Sequence, residues 1–246
     1  MKKVDRPLGR DHYPNEAYKK TMKVLLFDTE TNGLPKNRYA PPSQTDAYPA
    51  VLQISWAIYT LTAEAMVLVD RVDKSLRLAP EIPWDTGAAA IHGIPEAKAR
   101  VGEYPAKVFL EFREVLHQVD YVICHNLDFD KPVVRAAAYA ASLSVGEADA
   151  KLLRNLWPSK VREFCTMNAT RAFVGIPSAP EAKHPFKAPR LNELYTKLYG
   201  HVYDLSGTGN SLHSARSDTH CLAQCVLRLL RRGHLRIDEN NCMIMT

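Results

Sequence analysis

The pattern of apolar residues predicts strands in the first third of the chain. A continuous apolar run, KVLLF, ends at Phe27 and is typical of a strand that is covered on both faces. Two further β-rich runs, AVLQISWAIYT and AMVLVDRVDKS, are separated by LTAE, which predicts a hairpin. A fourth short run, DYVICHN, predicts another buried strand.

Helical periodicity dominates the rest of the chain. Apolar positions between Val108 and Val119 recur at the spacing of one helical face. Other helical patterns are DTGAAAIHGI, DKPVVRAAAYAASL, AKLLRNLW, TMNATRAFVG, RLNELYTKLYG and SARSDTHCLAQCVLRLLRR. Strands first and helices interleaved and late predict an α/β domain with a small mixed sheet of about five strands flanked by helices. Loop-only connections favour antiparallel pairing of the first strands, whereas the DYVICHN strand follows a helix and is expected to be parallel to its neighbour.

The same pattern suggests how the 246 residues are divided. Residues 1–22 are polar and basic without periodicity and predict a basic N-terminal arm, 23–232 form the domain, and 233–246 are a C-terminal tail. No run approaches the roughly 18 apolar residues that a membrane span needs, and the N-terminus lacks the apolar core of a signal peptide. We therefore expect a soluble, intracellular protein with no membrane partner, and its compartment stays open.

Charge and cysteine content narrow the functional classes only slightly. A formal charge of +5 suits a polyanionic partner, but it is also common in proteins that bind none. The five cysteines are odd in number and contain no CxxC pair, so neither a disulfide framework nor a cysteine zinc site is indicated. For Cys221 and Cys225, which stand at i and i+4 in an apolar helical pattern, we expect buried free thiols.

Two acids follow the first apolar run directly. Asp28 and Glu30 stand at i and i+2, so in a strand both side chains project from the same face. Two like charges at so short a distance repel each other, and the arrangement is unfavourable unless a cation lies between them. The pair is therefore a first indication of a metal site.

Two later stretches offer further oxygen donors for such a site. Asp128 and Asp130 follow the strand of DYVICHN at the start of the next helix, and His213 and Asp218 lie at the start of the last helix. The carboxyl edge of a sheet commonly carries the active site in α/β folds. Each stretch alone is more often structural, because an acid near a helix N-terminus usually caps the helix or pairs with its dipole.

Taken in order, three motifs resemble the DEDDh 3′→5′ exonucleases, a family typified by the proofreading epsilon subunit of bacterial DNA polymerase III. FDTETNGL is similar to the family's DxExTGL, HNLDFD to HNxxFD, and HSARSD to HxAxxD. The likeness extends to VLQISW, IHGI and LNELYTKLYG and spans about residues 22–232. It implies an RNase H-like fold.

The resemblance also implies roles for individual residues. It assigns two divalent metal ions, Mg²⁺ with Mn²⁺ able to substitute, to the carboxylates of Asp28, Glu30, Asp130 and Asp218. His213 would be the general base that takes a proton from the attacking water. Between the two neighbouring acids of the second motif, the resemblance selects Asp130 as the ligand and leaves Asp128 as a capping or surface residue.

Substrate contacts follow from the same resemblance. Leu34 would wedge between the last two bases, while Glu30 and the backbone near Thr29 would receive the terminal 3′ hydroxyl. His125 and Asn126 would shape the site or touch the substrate, and His92 would line the pocket. Purely structural roles remain open for the two histidines, and NGLP also reads as a simple turn that closes the strand.

The sequence therefore predicts a 3′→5′ exonuclease that hydrolyses phosphodiester bonds at single-stranded or frayed 3′ ends of DNA. The expected partner is a nucleic acid with a free 3′ end, with a DNA polymerase or repair complex as a further possibility. Two alternatives stay open: an exoribonuclease that trims RNA, since no motif reads a 2′-hydroxyl, and a nucleic-acid-binding or polymerase-tethering module without activity. The presence of all five motif residues argues against the inactive module.

Overall fold

The computed structural model describes residues 21–62, 65–204 and 214–246. The strands within these ranges are β1 Met22–Thr31, β2 Val51–Leu61, β3 Met66–Ser75, β4 Tyr121–Cys124, β5 Arg162–Cys165, β6 Leu235–Ile237 and β7 Met243–Met245. The helices are α1 Thr86–His92, α2 Glu96–Arg100, α3 Pro105–Leu116, α4 Leu127–Ser142, α5 Glu147–Arg154, α6 Thr166–Ala169, α7 Arg171–Val174, α8 Leu191–Tyr199 and α9 Ala215–Arg231.

The main sheet has five strands in the order β3-β2-β1-β4-β5. β1 pairs antiparallel with β2, and β2 with β3, as the loop-only connections predict. β4 arrives through α3 and runs parallel to β1, and β5 runs parallel to β4. The fold prediction is confirmed, with β1 at the centre of the sheet.

Both faces of β1 are covered, which explains its continuous apolar run. Val24 and Leu26 pack into a core shared with α8 and α9, and Leu25 and Phe27 pack into a second core shared with α3 and α4. All four side chains are fully buried. A strand held by a neighbour on each edge and a helical layer on each face has little freedom to shift, and the two acids follow at its end.

Some elements do not follow the apolar pattern. β5, in the segment REFC, has only Phe164 buried, so the sequence carries no clear strand signal there. The single helical pattern TMNATRAFVG forms two short helices that meet at Thr170. The predicted tail contains the hairpin of β6 and β7, whose Leu235 and Met243 pack into the same core as α9. The three-part division of the chain remains a prediction, and residues 1–20 lie outside the described ranges.

The cysteines agree with a further expectation, and the helices can be compared with what a membrane span requires. All five cysteines are free, and Cys124, Cys221 and Cys225 are buried. In the described ranges, no helix combines the length and the apolar composition that crossing a bilayer requires.

Replacement of Phe112 tests the aromatic core beneath the site. Its ring lies 5.6 Å from Phe27, the residue before Asp28, and 5.4 Å from Trp56. We expect Phe112→Ala to lower the free energy of unfolding by about 3–5 kcal/mol, because it leaves a cavity at a fully buried position. Urea unfolding measures this effect. Leu143→Ala is the control, since Leu143 is 67% exposed, and a similar loss in both variants would contradict the prediction.

Candidate metal centre

The end of β1 presents Asp28 and Glu30 on the face that α9 covers. Asp28 lies opposite Ser55 of β2, and Glu30 lies opposite Gln53. Because side chains alternate along a strand, the two acids share the side of the sheet on which Leu26 packs against α9. The structure therefore has the juxtaposition that their spacing predicts.

Asp218 reaches the same place from the first turn of α9. Ser214 caps this helix, with its hydroxyl accepting a hydrogen bond from the backbone N–H of Ser217 at 3.2 Å. Asp28, Glu30 and Asp218 each place one carboxylate oxygen within 4.8 Å of the others, and all three are partly buried. Residues far apart in sequence thus form one cluster of hard oxygen donors.

Asp130 lies close to this cluster but outside the 4.8 Å group. It is 3% exposed, and its carboxylate accepts hydrogen bonds from the Thr29 hydroxyl at 2.6 Å and the Cys124 thiol at 3.3 Å. The N-cap residue of α4 is Asn126, whose backbone has a positive φ of 85°, so the chain turns sharply between β4 and Asp130. A fourth carboxylate is therefore held against the end of β1 by neutral donors.

The electrostatics of the four acids favour a bound cation. Burial, together with the charges of Asp130, Asp218 and Glu30, raises the pKa of Asp28 well above its usual range. Burial and the charges of Asp218 and Asp130 raise the pKa of Glu30 to about 8. Burial also raises the pKa of Asp130, to about 6, although the hydrogen bonds from Thr29 and Cys124 oppose the rise.

The donor set fits a hard divalent ion. Carboxylate oxygens are the ligands that Mg²⁺ and Mn²⁺ prefer. In the described part of the chain, no lysine or arginine forms an ion pair with Asp28, Glu30 or Asp130. The repulsion between these groups is thus not relieved by the described basic side chains, and a divalent cation would relieve it.

Gln53, which sequence reasoning missed, ties α9 to the sheet beside this cluster. Its side-chain oxygen accepts a hydrogen bond from the backbone N–H of Ala215 at 3.1 Å, and its amide donates to Asp73 at 2.9 Å. Thr219 adds a second contact, with its hydroxyl 3.3 Å from the carbonyl oxygen of Ser55. The two ties lie on either side of Asp218 along the helix. The only signal in the sequence is a polar residue within the mainly apolar VLQISW.

The turn after Glu30 is built rigidly. Asn32 donates through its side chain to the carbonyl of Pro83 at 2.7 Å and accepts from the backbone N–H of Asp85 at 3.0 Å. Gly33 has a φ of +114°, a conformation that favours glycine. Leu34 follows and is 80% exposed. The turn thus presents an apolar side chain to solvent at the edge that carries the acids.

Two of the predicted substrate contacts have mainly internal partners. The side chain of Thr29 is buried and bonded to Asp130. His125 has both ring nitrogens within 2.9 Å of protein oxygens, those of the Thr166 hydroxyl and the Pro189 carbonyl. Burial lowers the pKa of His125 to about 4, so the ring is neutral at physiological pH. A structural role, left open by the sequence, fits this histidine.

His92 is also buried, at 5% exposure, and its ring lies 6.0 Å from that of Trp84. Its Nδ1 accepts a hydrogen bond from the backbone N–H of Ile94 at 2.9 Å, so the proton of the neutral ring resides on Nε2. Burial lowers the pKa of His92, which keeps the ring neutral. Nε2 has no acceptor among the described residues.

The remaining predicted residues differ in where they lie relative to the acidic cluster. Asp128 is exposed and accepts a hydrogen bond from Asn168 at 3.1 Å, so it points away from the cluster that Asp130 joins. Asn126 is the N-cap residue of α4 and makes no side-chain capping bond. His213, the predicted general base, lies outside the described residues.

Comparison with known proteins shows which solved structures have a similar fold. No protein-family model matches the sequence, and no curated relative matches it. Among solved structures, a zinc-bound complex of E. coli ExoI with single-stranded DNA aligns with a TM-score of 0.59 and 17% identity over 87% of this chain and 41% of the other. A structure of exonuclease I described as suggesting how processivity is achieved aligns with a TM-score of 0.59 and 18% identity over 85% of this chain and 40% of that one.

A third structure, E. coli exonuclease I in complex with a dT13 oligonucleotide, aligns with a TM-score of 0.58 and 19% identity over 85% of this chain and 41% of the other. The chain therefore spans about two fifths of the length of these structures. At this level of identity the likeness concerns the fold. The chain has the RNase H-like α/β architecture of exonuclease I, with a mixed five-stranded sheet flanked by helices.

Proposed function

We propose that this protein is a metal-dependent 3′→5′ exonuclease that acts on single-stranded DNA. The observation that carries the proposal is the cluster of Asp28, Glu30 and Asp218 within 4.8 Å, with Asp130 beside it. Three separate elements bring these acids to one edge of the sheet. The shared fold with exonuclease I, which is solved in complexes with single-stranded DNA, supports the choice of reaction and substrate.

The four carboxylates would hold two divalent ions, Mg²⁺ or Mn²⁺. Such ions supply charge neutralisation at the scissile phosphate and acidify the attacking water. The protein's own contribution is to hold the carboxylates rigidly, through the β1 backbone, the Thr29 hydrogen bond and the Gln53 tie. His213 would take the proton from the attacking water, a task suited to a group that titrates near neutral pH. Its assignment rests on the HSARSD motif.

Recognition of the 3′ end is assigned to the turn that follows Glu30. The exposed Leu34 would wedge between the last two bases, on a turn that Asn32 fixes to the segment before α1. Glu30 and the backbone at Thr29 would receive the terminal hydroxyl. The ring N–H of His92 has no acceptor among the described residues and would donate to the terminal nucleotide. Because His92 is buried, the residues around it would have to move to expose this N–H.

RNA is the second candidate substrate, because no described contact distinguishes a 2′-hydroxyl. DNA is favoured since the solved structures of similar fold hold DNA oligonucleotides. A role in proofreading, with a polymerase or repair complex as partner, rests on the motif resemblance to the epsilon subunit. A side-by-side assay of DNA and RNA oligonucleotides of one sequence decides between the substrates.

Loss of one carboxylate tests the reaction directly. We expect the wild-type chain to shorten a 5′-labelled single-stranded oligonucleotide stepwise with Mg²⁺, and chelation to stop it. Asp28→Asn should lower the rate by about 10³-fold, because metal-assisted charge stabilisation is worth several kcal/mol. The matched control is Asp128→Asn, which removes an exposed acid two residues from Asp130 and should stay within about twofold of wild type. Equal activity in Asp28→Asn and wild type would contradict the proposal.

Gln53 is a positioning residue, and its effect should appear as an altered requirement for metal. Gln53→Met removes the acceptor for Ala215, and we expect the Mg²⁺ concentration for half-maximal activity to rise about 10–100-fold, as for other residues that orient ligands. The rate at saturating Mg²⁺ should fall much less. Asp73→Asn, which keeps an acceptor for the Gln53 amide, should have little effect. An unchanged metal requirement in Gln53→Met would rule out this role.

The raised pKa values predict a pH-dependent stability without metal. Glu30, with a pKa of about 8 against its ordinary 4.5, and Asp130, with about 6 against 3.8, bind protons in the folded state that the unfolded chain has released. Stability should therefore fall as pH rises from about 4 to about 8, at most about 1.4 kcal/mol per pH unit for each extra proton held. Mg²⁺ should restore the loss at pH 8. Urea unfolding at pH 5, 6.5 and 8, with Mg²⁺ or with chelator, measures both effects.

A variant carrying both Asp28→Asn and Glu30→Gln is the control for this experiment, since it should remove the fall in stability between about pH 6 and 8 and the effect of Mg²⁺, while the contribution of the buried Asp130 below about pH 6 remains. A wild-type stability at pH 8 that Mg²⁺ leaves unchanged would contradict the metal assignment.

A further inference from the structure

The loop between β1 and β2 carries an aromatic side chain that the fold does not use. Tyr39 is 87% exposed, more than any other large apolar side chain among the described residues. Its neighbours Lys36 and Arg38 are also exposed. The guanidinium of Arg38 lies 5.8 Å from the centre of the Tyr39 ring, so one face of the ring is shared with a cation.

The backbone under Tyr39 is held in place. Its N–H donates to the side-chain oxygen of Asn37 at 3.0 Å, and the next residue, Ala40, is buried. The hydroxyl of Tyr48 lies 2.5 Å from the carbonyl oxygen of Ala40 and 3.2 Å from that of Arg38. The exposed ring therefore stands on a fixed support, so binding a ligand there would cost little loop entropy.

The loop also lies at the edge that carries the carboxylates. It leaves the sheet directly after Thr31, and the backbone N–H of Asn32 closes its base on the carbonyl of Ala50 at 2.9 Å. Tyr39 follows Leu34 by five residues, which limits their separation to about 17 Å. A separation of this size is within the reach of a single strand whose 3′ end is at Leu34.

The charges match a polyanion. Neither Lys36 nor Arg38 forms an ion pair with an acid within the described residues. Lys36 and Arg38 belong to the loop that leaves β1 just after Glu30 and Thr31. The four carboxylates at that edge would by themselves repel a phosphate chain. An exposed aromatic ring with free cations next to it is the combination that binds single-stranded nucleic acid, where bases stack on the ring and phosphates meet the cations.

We propose that Tyr39 stacks on a nucleobase of the single-stranded substrate, while Lys36 and Arg38 contact its phosphates. This inference rests on the proposed function and adds a binding subsite outside the carboxylate cluster. Because bases in a duplex are already stacked on each other, the subsite favours a single strand over a paired one. Tyr39 contributes to substrate binding and leaves the chemical step to the carboxylates.

The kinetic test uses a 5′-labelled single-stranded deoxythymidine oligonucleotide and the full chain. Tyr39→Ala should raise KM about tenfold with kcat within about twofold of wild type, because stacking on one ring accounts for an effect of this size. Tyr39→Phe should keep the wild-type KM, since it retains the ring. Arg38→Ala should weaken binding and reduce its salt dependence. Arg232→Ala is the control for charge, as it removes an exposed cation about 20 Å from Asp218 along α9.

A binding test separates this inference from the proposed reaction. Tyr39→Trp in the Asp28→Asn background should show saturable fluorescence quenching on titration with the same oligonucleotide, beyond the response of the Asp28→Asn variant alone. Quenching without hydrolysis by the wild-type chain would overturn the exonuclease and support the subsite. Hydrolysis with an unchanged KM in Tyr39→Ala and no quenching would overturn the subsite and leave the exonuclease standing.

Discussion

Repulsion among four carboxylates is the constraint on which the rest of this structure depends. Asp28, Glu30, Asp130 and Asp218 meet at one edge of the sheet, where burial raises the pKa of the first three and the charges of neighbouring acids add to the rise at Asp28 and Glu30. Such an arrangement survives only on a frame that cannot relax to separate the groups. The central strand β1 is that frame, because it pairs with a strand on each edge and packs against a helical layer on each face.

Hydrogen bonds between uncharged groups and the acids, or the helix that carries them, fix the other acids beside β1. Thr29 and Cys124 hold Asp130, and Gln53 holds the first turn of α9, which carries Asp218. Neutral donors orient a carboxylate without cancelling its charge. A lysine or arginine in the same places would neutralise the cluster and compete with a metal ion. The choice of partners thus keeps the site negative and geometrically defined, which is what the proposed reaction requires.

A negative centre alone would repel a nucleic acid, so the proposed function requires surroundings that attract one. The loop that leaves β1 beside Glu30 carries an exposed leucine, an exposed tyrosine and two cations without acidic partners among the described residues. His125, by contrast, is partly buried and neutral, and it joins the end of β4 to α6 and to the segment before α8. In the proposed function, the loop therefore attracts the nucleic acid and recognises its 3′ end. His125 instead stabilises the protein at the end of β4.

The sequence by itself determined the fold class, the hairpin, the direction of β4 and the juxtaposition of Asp28 with Glu30, because all of these depend on local periodicity and connection length. The resemblance of HNLDFD to a family motif selected Asp130 over Asp128 as the expected ligand, and in the structure Asp130 is buried while Asp128 is exposed. Only the tertiary structure revealed the hydrogen bond from Ala215 of α9 to Gln53 and the internal role of the Thr29 side chain. Those contacts join residues about 100 to 160 positions apart. The polar side chains that make them are indistinguishable in sequence from surface residues until packing decides which partners they meet.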